Sequence, residues 1–492
     1  LAFFVQDDWK FRPNLTLNLG LRWSYYSPVT ASDGVLGNLL PDANGGLAGA
    51  TIVTDKTLYD KDYNNFAPQL GFAWSPQMFE SKLVIRGGAG LGFDRLPNAL
   101  LAQARRNPPN GRNNGFCCAG PWDPFLGGRM SYVSSTDGTV FGYPANPVLA
   151  GTNANGLPLG GNLEIYGAPR DIDTAYVMRY SLEGQYELPA KMVATLGYSG
   201  AQGRHFVRIL PLHVTAPTSN NLIGAAFFAS SDVNSSFNAL LARLQGRFAK
   251  QFSFDANYRF SKGIDTASFE GSCFCTNQSY PIDQKEERGP SDFDVRHNFT
   301  MTGIWEIPYP KHLWAPELLG GWQLSGIATH HTGFPWTPKL ESDLVGPSGR
   351  GFGPIRPTSY NGTQPLSNSN DNFLQPGGLF AGSVPTTVFG TTIVGNTFAG
   401  NAPGIGRNTF RGPKYFAVDM SIAKKFQFGD SGFFGENAAL DIRFNFFNIF
   451  NNLNLVPFTA NSDPTRVTRN SFATATAGQA GRVGEFQMRF SF

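Results

Sequence analysis

The feature that most constrains this chain is a strict two-residue alternation sustained for longer than soluble strands usually run. In the final segment, Gly481 to Phe492, residues Phe486, Met488, Phe490 and Phe492 fall on one side, and Glu485, Gln487, Arg489 and Ser491 fall on the other. Successive side chains of a strand face opposite ways, so one face is apolar and the other polar. Leu15, Leu17, Leu19, Leu21, Trp23 and Tyr25 alternate in the same manner with Thr16, Asn18, Gly20, Arg22 and Ser24. That run is about twice the usual soluble strand. Such an aromatic row leaves water in one of two ways, beneath a second sheet or against lipid.

The unit recurs along the chain. Phe3, Val5, Trp9 and Phe11 share a face before a turn at Arg12-Pro13-Asn14, with Asp7 interrupting the row, so that either this strand bears on protein there or the register is displaced. Leu70, Phe72 and Trp74 lead through a turn near Ser75 to Ser81 into Leu83, Ile85, Ala89, Leu91 and Phe93. Tyr176 to Leu188 turns at Pro189-Ala190-Lys191 into Met192 to Tyr198, and Leu240 to Phe248 turns near Lys250-Gln251 into Phe252 to Phe260. Further strands are read at Phe299–Ile307, Trp322–His330, Phe416–Phe428 and Leu440–Phe450, giving about thirteen in all. Tight turns alternate with long loops, the longest spanning Leu96 to about Arg170 and Pro335 to about Pro413. Short turns at one end and long loops at the other predict an all-β, antiparallel transmembrane β-barrel with turns in the periplasm and loops outside.

Composition separates lipid from a soluble β-sandwich. Aromatics make up 14% of the 492 residues and charged residues only 15%, against about 25% charged in soluble domains. Dozens of aromatics on one face would need a second sheet of equal size, and no segments remain to build it. No apolar run reaches the roughly 18 residues of a membrane helix. The net charge of +3 comes from scattered Lys and Arg, which argues against a nucleic-acid partner. The chain opens at Leu1 directly into strand-like sequence with no signal segment, as expected of a portion of a longer protein.

Several motifs resemble the TonB-dependent outer-membrane receptors, especially the Oar-like group with a carboxypeptidase-regulatory-like N-terminal domain. Phe3-Phe4-Val5-Gln6-Asp7-Asp8-Trp9-Lys10 with Leu15-Thr16-Leu17-Asn18-Leu19-Gly20-Leu21-Arg22 is similar to that group's first conserved hairpin. Ser291 to Phe299, with Asp294, Arg296 and His297, resembles a strand opening of the group, and Phe444 to Asn451 resembles its penultimate strand. The row Phe486, Met488, Phe490 and Phe492 resembles the C-terminal signal read by the barrel-assembly machinery, with Gln487 where Gly is usual. The resemblance implies a barrel of about 22 strands around a plug, of which residues 1–492 would be the C-terminal portion, the last thirteen strands. The N-terminal domain, the plug, the TonB-binding box and the first strands would lie outside it, so this portion alone is not expected to transport. The implied function is TonB-dependent active transport of a large solute across the outer membrane, with membrane lipid, TonB and the solute as partners. An outer-membrane scaffold or adhesin that binds partners through its loops is the alternative.

Candidate sites lie in the loops. Arg105, Arg106, Trp122, Tyr132, Tyr143, Phe334, Trp336 and Tyr360 offer aromatics beside polar groups, suited to a sugar- or peptide-binding rim or equally to packing loop on loop. Cys117, Cys118, Cys273 and Cys275 are candidates for cross-links between two external loops, with reduced or locally paired thiols as the alternative. No cofactor, metal centre or catalytic set is expected, since no nucleophile elbow or metalloprotease motif occurs and His330-His331 reads as a pair of strand-end residues. Arg179, Glu183, Arg243, Arg247, Asp255, Arg259, Asp441 and Arg443 are expected on the lumen face, either satisfying one another or lining a polar path.

Overall fold

The structure, a computed structural model, describes the chain except for residues 32–34, 110–130, 134–139, 143–151, 158, 160–162, 249–250, 269–277, 281, 311, 313, 341–342, 346–350, 363–369, 375–387, 390–403, 429–437, 460–461 and 492. The alternating segments form one antiparallel meander in sequence order. Its strands are β1 (Ala2–Arg12), β2 (Leu15–Ser24), β3 (Phe66–Trp74), β4 (Leu83–Phe93), β5 (Tyr176–Leu188), β6 (Met192–Pro211) and β7 (Ile223–Phe248). They continue as β8 (Phe252–Asp265), β9 (His297–Glu306), β10 (Trp322–His331), β11 (Tyr415–Gln427), β12 (Ala439–Phe447) and β13 (Val483–Ser491). Two short strands, Leu163–Gly167 and Gly289–Pro290, hang off this path and complete a 15-stranded sheet. β1 and β13 are its two edges, and among the described residues no pairing joins them. Helices are short pieces, none long and apolar enough to cross a membrane among the described residues.

Register carries the two faces unbroken from strand to strand. Trp9, Leu17, Phe72, Gly87, Leu182, Tyr198, Leu240 and Phe260 stand directly opposite one another across β1 to β8. Gly87 leaves room for a ring in that row, because a Cβ there would come within 2.6 Å of Phe72 and force it to shift. On the other face the same alignment joins Asn18, Gly71, Gly88, Ser181, Ser199, Ala239 and Ser261. The apolar rows are uncovered: Leu70 is 60% exposed, Leu182 53% and Leu196 61%. Large apolar side chains in continuous rows need a covering medium, and lipid supplies it. Arginine at Leu182, near the middle of β5, is therefore expected to destabilise the folded wall by about 2–4 kcal/mol, whereas Ser181→Arg, on the other face, leaves it nearly unchanged. Urea unfolding in bilayer vesicles measures both.

At one end the connections are Pro13–Asn14, Ser75–Lys82, Pro189–Lys191, 249–251, Ile307–Gly321 and 428–438. At the other they are Tyr25–Asn65, Asp94–Ala175, Leu212–Leu222, Thr266–Arg296, Thr332–Lys414 and Asn448–Arg482. The long loops carry the protein-enclosed core. Leu39, Leu47, Leu157 and Ile165 form one buried cluster and Leu58, Leu96 and Leu101 a second, while Trp336, Phe373, Phe389, Phe410 and Phe472 belong to a third. The wall faces lipid and lumen, so its side chains are not enclosed by protein in this way.

Two expectations change. β6 and β7 run well past the predicted Met192–Tyr198 and Leu240–Phe248, because Phe206–Pro211 pairs with Phe227–Val233 above the wall. Alternation fades there because loop residues cover both faces: Ala225, Ala226 and Ala229 are buried, and Leu163–Gly167 pairs alongside in parallel. At Asp7 the register is sound. Asp7 stands opposite Leu19 in the apolar row, and on the opposite face Asn18 Nδ2 donates to Asp8 Oδ1 at 2.6 Å. A displaced register is thereby excluded.

One loop turn has a pH dependence of its own. The Asp42 carboxylate accepts from the backbone N–H groups of Gly46 (2.8 Å), Asn44 (2.9 Å) and Gly49 (3.3 Å), and the Gly46 bond chiefly holds its pKa below the ordinary 3.8. A depressed carboxylate stabilises above its unfolded-state pKa and loses that contribution as pH falls through the folded value. Acidification below pH 3.8 is thus expected to lower the protection of the Gly46 and Asn44 amides relative to their intrinsic exchange rates, and Asp42→Ala should abolish that pH dependence.

Candidate functional site

Three external loops meet at one junction. From the Thr266–Arg296 loop come Glu287, Asp292 and Asp294; from Thr332–Lys414 come Trp336, Thr337, Lys339, Arg356, Arg407, Asn408 and Arg411; from Asn448–Arg482 comes Phe458. The short pairing of Pro335–Trp336 with Phe410–Arg411 brings the two ends of the central loop together. Its aromatics then pack at edges and tilts: Trp336 lies 5.5 Å from Phe410, 5.4 Å from Phe458 and 5.7 Å from Phe472, centroid to centroid.

Charge crosses the junction in buried pairs. Arg407 donates to the Asp265 carboxylate, to Ser268 Oγ (3.1 Å), to Asp292 Oδ1 (3.4 Å) and to the backbone carbonyl of Glu287 (2.9 Å). Arg356 donates to Glu287 Oε1 at 2.9 Å, and Arg411 to the Asp294 carboxylate. Burial pulls the Arg356 guanidinium below its ordinary pKa, with the Glu287 carboxylate opposing that shift. Asn408 ties the remaining strands, donating to Asp292 Oδ1 (2.5 Å) and Pro290 O (2.8 Å) and accepting from Thr337 Oγ1 (2.9 Å).

Beside this network lies a cavity of about 170 Å³ lined by Phe293, Phe334, Trp336, Lys339, Asn408 and Phe458, among others. Phe293 is exposed at 66%, whereas Lys339 and Asn408 are buried. Trp336 Nε1 is buried with no hydrogen-bond partner among the described residues. The lining thus combines aromatic walls with the polar side chains of Lys339 and Asn408.

The sequence-expected residues divide. Phe334 and Trp336 line this cavity, and Tyr360 stacks on Phe389 at 5.1 Å and meets Phe410 edge-on within the loop core. Arg105 and Arg106 end a short helical turn, Ala102–Arg106, in the other part of the cap, with Arg105 exposed and Arg106 beside Tyr166. Tyr132 belongs to a ribbon pairing Ser131–Val133 with Val140–Gly142. Trp122, Tyr143, Cys117, Cys118, Cys273, Cys275 and Phe492 lie outside the described residues. Phe486, Met488 and Phe490 stand opposite Phe444, Ile442 and Leu440 in the apolar rows. Sequence reading missed Arg407, Asn408, Lys339 and Phe458, which sit in irregular segments without period; the Asp292 to Asp294 stretch they meet was singled out only as a strand opening.

Of the lumen-face set, Arg243 Nε donates to Asp255 Oδ1 at 3.0 Å, and Arg86 lies 3.9 Å from Glu183. A shallow recess of about 830 Å³ lies on that face over Gly20, Gly71, Gly88, Gly90, Arg179 and Ser199. His330 and His331 point to opposite faces of β10, as neighbours in a strand must. His331 stacks on Tyr415 at 5.1 Å. No cluster of metal-binding side chains occurs among the described residues.

An up-and-down sheet with apolar rows toward lipid, polar rows inward and long packed loops at one end is the wall of an outer-membrane β-barrel. The chain belongs to the outer membrane beta barrel domain family, which matches residues 1–489. It is thus a protein of the outer membrane. No match was found among curated protein sequences. Among solved structures, the outer membrane transporter YddB from Escherichia coli has a similar fold (TM-score 0.50, 9% identity, 99% of this chain and 44% of that one). The FrpB iron transporter from Neisseria meningitidis gives TM-score 0.45 at 10% identity over 99% of this chain and 44% of that one. The ferripyoverdine receptor of the outer membrane of Pseudomonas aeruginosa gives 0.42 at 9% over 99% and 38%. The chain therefore spans less than half the length of these structures.

Proposed function

We propose that residues 1–492 are the C-terminal portion of a TonB-dependent outer-membrane receptor and transporter of the Oar-like group, carrying a large solute. Further strands complete the barrel, a plug fills it, and TonB acts through the N-terminal region. The observation that carries this reading is the combination of a polar inner wall with a folded external cap whose loops enclose a lined cavity. A passive porin has about 16 to 18 strands, and this portion by itself already supplies a meander of thirteen. Phe334 and Trp336 serve in it as contacts for one group of the solute, and Phe486, Met488, Phe490 and Phe492 as the strand recognised by the barrel-assembly machinery. No catalytic step is assigned. The motifs of Phe3–Arg22, Ser291–Phe299 and Phe444–Asn451 support the same assignment.

Cells making the full-length protein are expected to deplete solutes too large for porins from the medium, and to stop when TonB is deleted. Depletion that persists without TonB would refute active transport. Attachment to a partner without any depletion would favour the adhesin-like alternative.

A further inference from the structure

In the connection between β9 and β10, residues 318–320 do not hang beneath the lumen but fold outward. Trp322 and Lys424 stand opposite each other at the base of β10 and β11, on the same outward face as the pair two positions on, Leu324 and Ile422. Trp322 Nε1 donates to Leu318 O at 3.3 Å, and Lys424 Nζ donates to Gly320 O. Two side chains on the outward face thus hold residues 318–320 against the wall, and Lys424 is buried there at 2% exposure. Gly321, at φ +72°, supplies the left-handed backbone that lets the chain turn back into β10. Farther out, the Tyr309 hydroxyl donates to Trp314 O at 2.6 Å and ties the start of the segment to its middle.

The residues so placed are apolar and bare: Trp314 is 78% exposed, Leu318 54% and Leu319 39%. They continue the lipid-facing surface of Trp305, which is 42% exposed on neighbouring β9. Lys424 carries its ammonium 4.9 Å from the Phe426 ring and 5.8 Å from the Trp322 ring, an aromatic and cationic setting typical of the membrane–water boundary. We propose that the 314–320 stretch of this connection is a lipid-seated foot, with Trp314, Leu318 and Leu319 entering the headgroup and upper acyl region of the periplasmic phospholipid leaflet. Continuity with the lipid-facing rows selects phospholipid over a periplasmic protein as the occupant. The inference rests on the outer-membrane location and is independent of the transport proposal.

The test uses the full chain in phospholipid vesicles and compares wild type with Trp314→Phe, a conservative change at an exposed ring. The difference between the two emission spectra isolates Trp314. Phospholipids brominated near the headgroup end of the acyl chain are expected to quench most of that difference signal, and aqueous iodide little of it. Quenching by iodide and not by brominated lipid would overturn the proposal in favour of a solvent-exposed turn. A signal insensitive to both would overturn it in favour of a protein contact. Leu318→Cys, in a chain whose four native cysteines are changed to serine and carrying an environment-sensitive dye, gives a second readout, whose emission in vesicles should be quenched by the same brominated phospholipids.

Discussion

Replacement of Arg407 by alanine is expected to unfasten the external cap while the wall stays folded. Arg407 is 5% exposed and donates to two carboxylates and three backbone carbonyls from a neighbouring loop and the end of β8. Removing it strands the Asp265 carboxylate, itself buried at 6% exposure, which among the described residues keeps only the Ser268 hydroxyl, at 2.7 Å, as a side-chain donor. Breaking one side of a buried ion pair costs about 3–5 kcal/mol, because the other charge stays out of water without its partner. Limited proteolysis and amide exchange should therefore show the 404–412 segment and Gly289 opening together. Heat-modified migration of the barrel should be unchanged. Combining Arg407→Met with Asp265→Leu is expected to restore much of the protection, since an apolar pair leaves no stranded charge. Wild-type protection in Arg407→Ala would show that the network does not hold the loops.

Phe410→Ala should produce an effect of similar size by another route. Phe410 is fully buried, 5.5 Å from Trp336, 5.4 Å from Tyr360 and 5.9 Å from Phe389. Deleting a ring at such a site costs about 3–5 kcal/mol through lost transfer energy and the cavity left behind. The cap is expected to become protease-sensitive, and a small aromatic solute added to the medium should partly protect it by filling the void. The wall should not respond, because lipid covers its apolar rows. Loss of the folded barrel in Phe410→Ala would mean that cap and wall fold as one unit.

The wall was legible residue by residue. Leu15, Leu17, Leu19 and Leu21 declare their face through the neighbour two positions away, and the strand count and the order of turns and loops follow from repeating that test. Even Asp7, which disturbed the pattern, proved to be in register. The cap was only partly legible. Phe334, Trp336 and Tyr360 stood out as loop aromatics, yet nothing local marked Trp336 and Tyr360 as members of a buried cluster.

What the sequence by itself determined is whatever is written in adjacent positions: strand, face, and the choice of lipid over a second sheet. What only the tertiary structure decided is whatever joins distant segments. Arg407 meets Asp265 across 142 positions of chain, and Arg356 meets Glu287 across 69. Neither pairing leaves a period to detect. The physical reason is that a strand's environment repeats every second residue, whereas the loop core is held by individual rings and charges whose partners are chosen by the path of the backbone through space.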